Sequence, residues 1–214
     1  MDCRNWCIKC FNKTLKAAQE KTKISLSGKD IEIYFSPQDK SIANAVIPLI
    51  RRAKKYVYIP TFVLTEKRVT EELISAKNRG VDVKIIIDAL NASIRHSKHN
   101  ELRQGGIQVK TENYAGKMHS KSMIVDDEYT IIGSMNFSNS GENKNDENLV
   151  VIKDSEIAKF YKDFFLYQWD RIDDKWLKYN VRAEGKDSIG SCSDGIDNNY
   201  DGLTDFEDLA CKGL

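Results

Sequence analysis

The most constraining stretch of this chain is Val81-Asp82-Val83-Lys84-Ile85-Ile86-Ile87, a run dominated by β-branched apolar residues that follows directly on a helical pattern stopping at Gly80. A strand apolar on both faces has to be covered on both faces, and helix, glycine and buried strand in succession are the repeat of a βαβ unit. The same rhythm recurs along the chain. Ile31 to Phe35 alternates like a strand and is broken at Ser36-Pro37. A helical pattern follows at Ile42, Ala45, Val46, Leu49, Ile50 and Ala53, with Pro48 expected to kink it or delay its start. Tyr56–Phe62 reads as a strand, residues 66–79 and 97–104 as helices, and Ile107–Lys110 as another strand. Residues 118–133 then resemble a hairpin and Asn148–Ile152 a further strand. Ser155–Trp169 carries an apolar stripe of Ile157, Phe160, Tyr161, Phe164, Phe165 and Trp169, which is expected to pack on the sheet. The class is α/β.

With 33 basic against 32 acidic residues the net charge is +1, which excludes a uniformly basic wrapper of nucleic acid. The charge is unevenly placed: residues 1–30 form a basic arm and residues 172–214 are acidic. No apolar run is long enough to span a bilayer, and Arg4, Lys9, Lys13 and Lys16 interrupt any signal-like core near the start, so the sequence reads as soluble. The five cysteines stand only at the two ends. Cys3, Cys7 and Cys10 are spaced like an iron–sulfur signature, but no long barrel follows; a metal clip, an interchain disulfide or incidental thiols fit better.

Chemistry concentrates in Met118–Phe137, MHSKSMIVDDEYTIIGSMNF. Residues two apart in a strand share a face, so His119 and Lys121 are expected to point together, and Ser134 and Asn136 likewise. Imidazole, ammonium, hydroxyl and amide on one site suit a phosphodiester. The imidazole can attack phosphorus without a metal, while the other three hold the phosphoryl oxygens.

The spacing H-x-K-x4-D-x6-G-S-x-N, matched by His119, Lys121, Asp126, Gly133, Ser134 and Asn136, resembles the signature of the phospholipase D superfamily. The surrounding IYFSP, RGVDVKIIID and NDENLVVI runs are similar to its single-motif branch, which includes Nuc-type endonucleases and Zucchini-type phosphodiesterases. The resemblance covers residues 31–171. It implies a mixed central β-sheet flanked by helices on both faces, no cofactor for catalysis, and a covalent phosphohistidine at His119. A second histidine is then needed, so a chain with one motif is expected to work as a homodimer. The resemblance also implies that Glu147 hydrogen-bonds the histidine. Asp126 belongs to the catalytic signature, though structural support is the role expected of it.

Arg95, His96, Lys98 and His99 are expected to grip substrate phosphate from a loop at the ligand-facing edge. Residues 172–190 read as a linker. Beyond it, residues 191–212 carry a loop with Asp197, Asn199, Asp201, Leu203, Asp205 and Asp208 at the oxygen-ligand positions of an EF-hand-type calcium site, with Gly202 at the turn. Cys192 and Cys211 bracket it, and a disulfide there would staple a segment too small for its own core, which favours a periplasmic or secreted location. DNA or RNA is the expected substrate. Phospholipid such as cardiolipin is the alternative, and a non-catalytic nucleic-acid-binding module the third reading.

Overall fold

A computed structural model describes residues 23–26 and 28–213; Cys3, Cys7 and Cys10 and most of the basic arm lie outside the described residues. The arm's last residues are strand: β1 (Lys23–Leu26) pairs with β2 (Lys29–Ser36) in an antiparallel hairpin. A π-helical turn, Ile42–Val46, then leads into α1 (Ile47–Arg52). The wide register sits just ahead of Pro48, which has no N–H to donate and whose ring crowds the preceding turn. Next come β3 (Tyr56–Thr61), α2 (Lys67–Asn78), β4 (Asp82–Ile87), the short helices α3 (Ala89–Ser93) and α4 (His99–Gln104), and β5 (Gln108–Thr111). The chain continues through β6 (Met123–Val125), β7 (Tyr129–Gly133), α5 (Asn139–Asn143), β8 (Glu147–Lys153), α6 (Ser155–Arg171) and, near the end, α7 (Leu209–Lys212).

The eight strands form one mixed sheet in the order β1-β2-β8-β7-β6-β3-β4-β5, parallel from β3 to β5 and antiparallel elsewhere. Two-residue alternation distributes each central strand between two cores. Val57 and Ile59, Val83, Ile85 and Ile87, and Met123 and Val125 meet α1 and α2 on one face. Tyr56, Tyr58, Ile86 and Ile124 meet α6 on the other. Among the described residues no helix is long and apolar enough to cross a membrane.

Two expectations need correction. The segment 172–190 is no linker: Ile172, Trp176 and Val181 extend the α6-side core, and Lys110 donates from β5 to the carbonyls of Trp169 and Ile172. The apolar stripe of α6 is also only partly core. Ala158, Phe165 and Trp169 are buried, whereas Phe160 and Phe164 face outward, 71% and 54% exposed. The helix carries aromatic residues over a wider arc than one sheet can cover.

Asp126 occupies the β6–β7 turn, where it and Asp127 adopt left-handed φ values of 58° and 54° and Glu128 N–H closes on Val125 C=O, a turn whose twist suits a hairpin. Its carboxylate accepts from the backbone N–H groups of Lys54, Lys55 and Tyr56 at 2.7, 2.8 and 2.9 Å, anchoring the hairpin to the start of β3. Asp126→Ala should therefore lower the unfolding free energy by about 2–3 kcal/mol in denaturant titration, because three amides lose a charged acceptor. Turnover per folded molecule should persist.

Candidate active site

The site lies where β3, β4 and β5 end and β6 and β8 begin, the edge at which α/β sheets usually bind ligands. One antiparallel register carries His119 there. Val57 faces Val125, Tyr58 faces Ile124, Thr61 bridges to Lys121, and Phe62 N–H donates to Ser120 C=O at 2.9 Å. The strand expected from residue 118 starts only at Met123, because Pro60 has no N–H to offer opposite Ser122; the remaining Ser122 N–H to Pro60 C=O contact is 3.4 Å. Past that gap His119 and Lys121 still share a side, while Ser120 and Ser122 bond each other on the opposite one at 2.8 Å.

His119 is exposed, with its ring 4.5 Å from the Phe62 ring. The Lys121 ammonium stands 4.8 Å from the same Phe62 ring and donates to His119 C=O at 2.7 Å. Phe62 thus seats both groups. Its place one residue beyond the end of a parallel strand was the only sequence signal for it. Burial lowers the Lys121 pKa, and the charges of Glu147 and Asp88 act against that shift.

Ser134 and Asn136 follow β7 with Met135 and Phe137 buried between and after them. Gly133 is required by the approach of β8: a Cβ there would lie 2.2 Å from Asn148 C=O. The Ser134 hydroxyl donates to Glu147 at 2.5 Å and accepts from Asn148 N–H at 3.1 Å. Asn136 Oδ1 is buried without a hydrogen-bond partner. Glu147 accepts from Ser134 and from Asn145, so the expected bond from Glu147 to His119 is absent among the described residues. Asp126 lies past the far end of β6 from Lys121, with its carboxylate on the backbone amides of residues 54–56.

Two carboxyls beneath this edge went unnoticed in the sequence. Asp88, at the end of β4, is fully buried and caps α3 by accepting from Asn91. Glu112, just past β5, is also buried, and each of the two keeps one oxygen without a partner. Burial, reinforced by the Asp88 charge, pushes the Glu112 carboxyl up to about 9, so Glu112 holds its proton at neutral pH.

Residues 46–169 match the family model described as "Cardiolipin synthase, PLD-like domain". The chain belongs to the PLD-like family. It is similar to a phospholipase D of Rickettsia bellii, 32% identical over 144 residues, covering 67% of this chain and 69% of that protein. It is also similar to the mitochondrial cardiolipin hydrolase of Mus musculus, 26% identical over 137 residues, covering 64% and 62%. The chain spans about two thirds of the length of these relatives. Among solved structures, the phospholipase D family member Nuc from Salmonella typhimurium aligns with a TM-score of 0.64 and 29% identity, covering 72% of this chain and 99% of that one. Members of the superfamily are phosphodiesterase hydrolases.

An open groove of about 500 Å³ is lined by Lys67, Arg95, His96, Lys98 and Glu101 and by Ser138–Ser140, which begin two residues beyond Asn136. His99 does not join it. That ring is buried, with Ser97 Oγ 2.9 Å from Nδ1 and Asn180 Nδ2 2.9 Å from Nε2, and burial pushes its pKa down to about 4.

The tail is closed by a Cys192–Cys211 disulfide. In its loop Asn199 Nδ2 donates to Asp201 and Asp208 at 3.2 and 2.7 Å, and Asp197 accepts from the N–H groups of Asp201 and Gly202. Asp205 turns away to accept from Asp194 and Gly195, and Leu203 donates its N–H to Asp201. Among the described residues no three His, Cys, Asp or Glu side chains are placed to hold a metal ion, so the expected calcium ligands are not assembled.

Glu112 supplies a pH signature. Its folded pKa lies above the unfolded carboxyl value, so the native state binds the extra proton between about pH 4.5 and 9, and stability falls as pH rises through that window. Glu112→Gln should flatten this decline and raise the melting temperature at pH 8, as thermal scans across pH would show.

Proposed function

We propose that this chain is a metal-independent phosphodiesterase that hydrolyses nucleic-acid backbone without strong sequence preference. The carrying observation is the exposed His119 imidazole seated with Lys121 on Phe62, with Ser134 and Asn136 following β7 at the same edge of the sheet. In this reading His119 attacks phosphorus, a P–N bond forms, and the P–O bond to the leaving strand breaks. Lys121, Ser134 and Asn136 hold the non-bridging oxygens while charge builds on them. The leaving oxygen needs a proton and the returning water needs a base. Each chain has one motif, so His119 of a second copy serves both steps in turn across a two-fold homodimer.

Arg95, His96 and Lys98 would position the strand through its phosphates, which makes binding salt-dependent. Phospholipid, cardiolipin included, is the second reading, favoured by the names of the relatives; the same attack would apply to it. A purely binding role does not explain why every reactive position of the motif is filled. Calcium in the tail has only the ligand spacing to support it.

His119→Ala should lower kcat by on the order of 10³ or more without loss of fold, and rapid acid-free quenching of the wild type should trap an acid-labile phosphoprotein. Assays on plasmid, single-stranded nucleic acid and cardiolipin vesicles, each with and without EDTA, decide the substrate. Cleavage of the vesicles alone would overturn the nucleic-acid reading, and inhibition by EDTA would overturn the metal-free mechanism.

A further inference from the structure

The tail lies beyond the span matched by the family model, yet it is built onto the segment that delivers His119. Ala115 N–H donates to Ile189 C=O at 2.7 Å and Ile189 N–H to Asn113 C=O at 2.8 Å, a short ladder along residues 113–115. Lys117 then reaches out: its ammonium donates to Asn198 C=O at 2.7 Å and lies 4.7 Å from the centre of the Tyr200 ring. His119 N–H closes back on Lys117 C=O at 2.8 Å, so the backbone bearing Lys117 abuts that bearing the nucleophile.

The anchoring is internal. Glu184 is fully buried and accepts from Asn198 N–H at 2.8 Å and Asp205 N–H at 2.6 Å, while Asn198 is itself buried and donates to Asp194. The disulfide ties both ends of the loop. From this base Tyr200 projects as a residue 70% exposed, with the Lys117 ammonium beside its ring. Its φ is 61°, a left-handed value that a bulky side chain rarely adopts.

We propose that Tyr200 and Lys117 form a subsite for a nucleobase flanking the scissile phosphodiester. The disulfide-closed tail would then meet the substrate on the side of residues 113–117. A ring on this anchored loop offers its open face to any base, since every base has a π-face, and the adjoining ammonium draws the neighbouring phosphate. Of the tail's carboxylates, Asp197 and Asp205 accept from backbone N–H groups within the loop. This inference rests on the nucleic-acid reading above and names where a base would sit.

The test is equilibrium binding of a short fluorescent single-stranded DNA, and of an abasic strand of equal length, to the full chain carrying His119→Ala. Adding Tyr200→Ala should weaken binding of the base-bearing strand by about tenfold. Tyr200→Phe should restore it, and the abasic strand should bind all three proteins alike. Undiminished binding by Tyr200→Ala, or an equal loss on the abasic strand, would overturn the subsite while leaving the nucleic-acid reading intact. If the His119→Ala parent binds neither strand at low salt, the nucleic-acid reading fails and the subsite fails with it.

Discussion

The antiparallel pairing of β6 with β3 is the constraint on which the rest depends. It joins the parallel half of the sheet to the antiparallel half, and its register is held at one end by the Asp126 carboxylate on three amides of residues 54–56. Because that end is fixed, the other delivers Lys121 opposite Thr61 and Ser120 opposite Phe62. A slip of one residue would turn His119 and Lys121 into the core face and expose Ser120 and Ser122 in their place. The aspartate of the motif thus anchors the far end of that pairing through backbone amides.

The site depends on local electrostatics as much as on register. Lys121 is partly buried, and Glu147 and Asp88 offset the burial that would favour its neutral form. Glu112 stays protonated because Asp88 is close and water is not. Glu147 accepts the single Ser134 hydroxyl proton, which has to turn from the carboxylate before it can donate elsewhere.

Much of this was legible in the sequence, for reasons that are local. The β-branched run of β4 has one solution, burial on both faces, and its alternate residues do divide between the two cores. The spacing of His119, Lys121, Ser134 and Asn136 is short enough for strand geometry to place each pair. What escaped was non-local. Pro60 was plain to read, but the hydrogen bond it removes belongs to a partner about sixty residues onward. His99 looked like part of a basic loop until Asn180, far along the chain, closed over it. The 172–190 stretch lacks periodicity because it packs as irregular chain, holding Trp176 and Glu184 inside without a repeating face. Calcium-like spacing at 197–208 specifies which residues are near one another, but not which way Asp205 turns.

Since each chain presents one His119 and the reaction needs a group to protonate the leaving oxygen, a half-site completed by a second copy is the central claim. The most direct measurement is specific activity over a dilution series, with the association state of the same samples followed by analytical sedimentation. The account predicts that activity per chain falls in step with dissociation of the dimer and returns on reconcentration. A monomer that keeps full specific activity would contradict it.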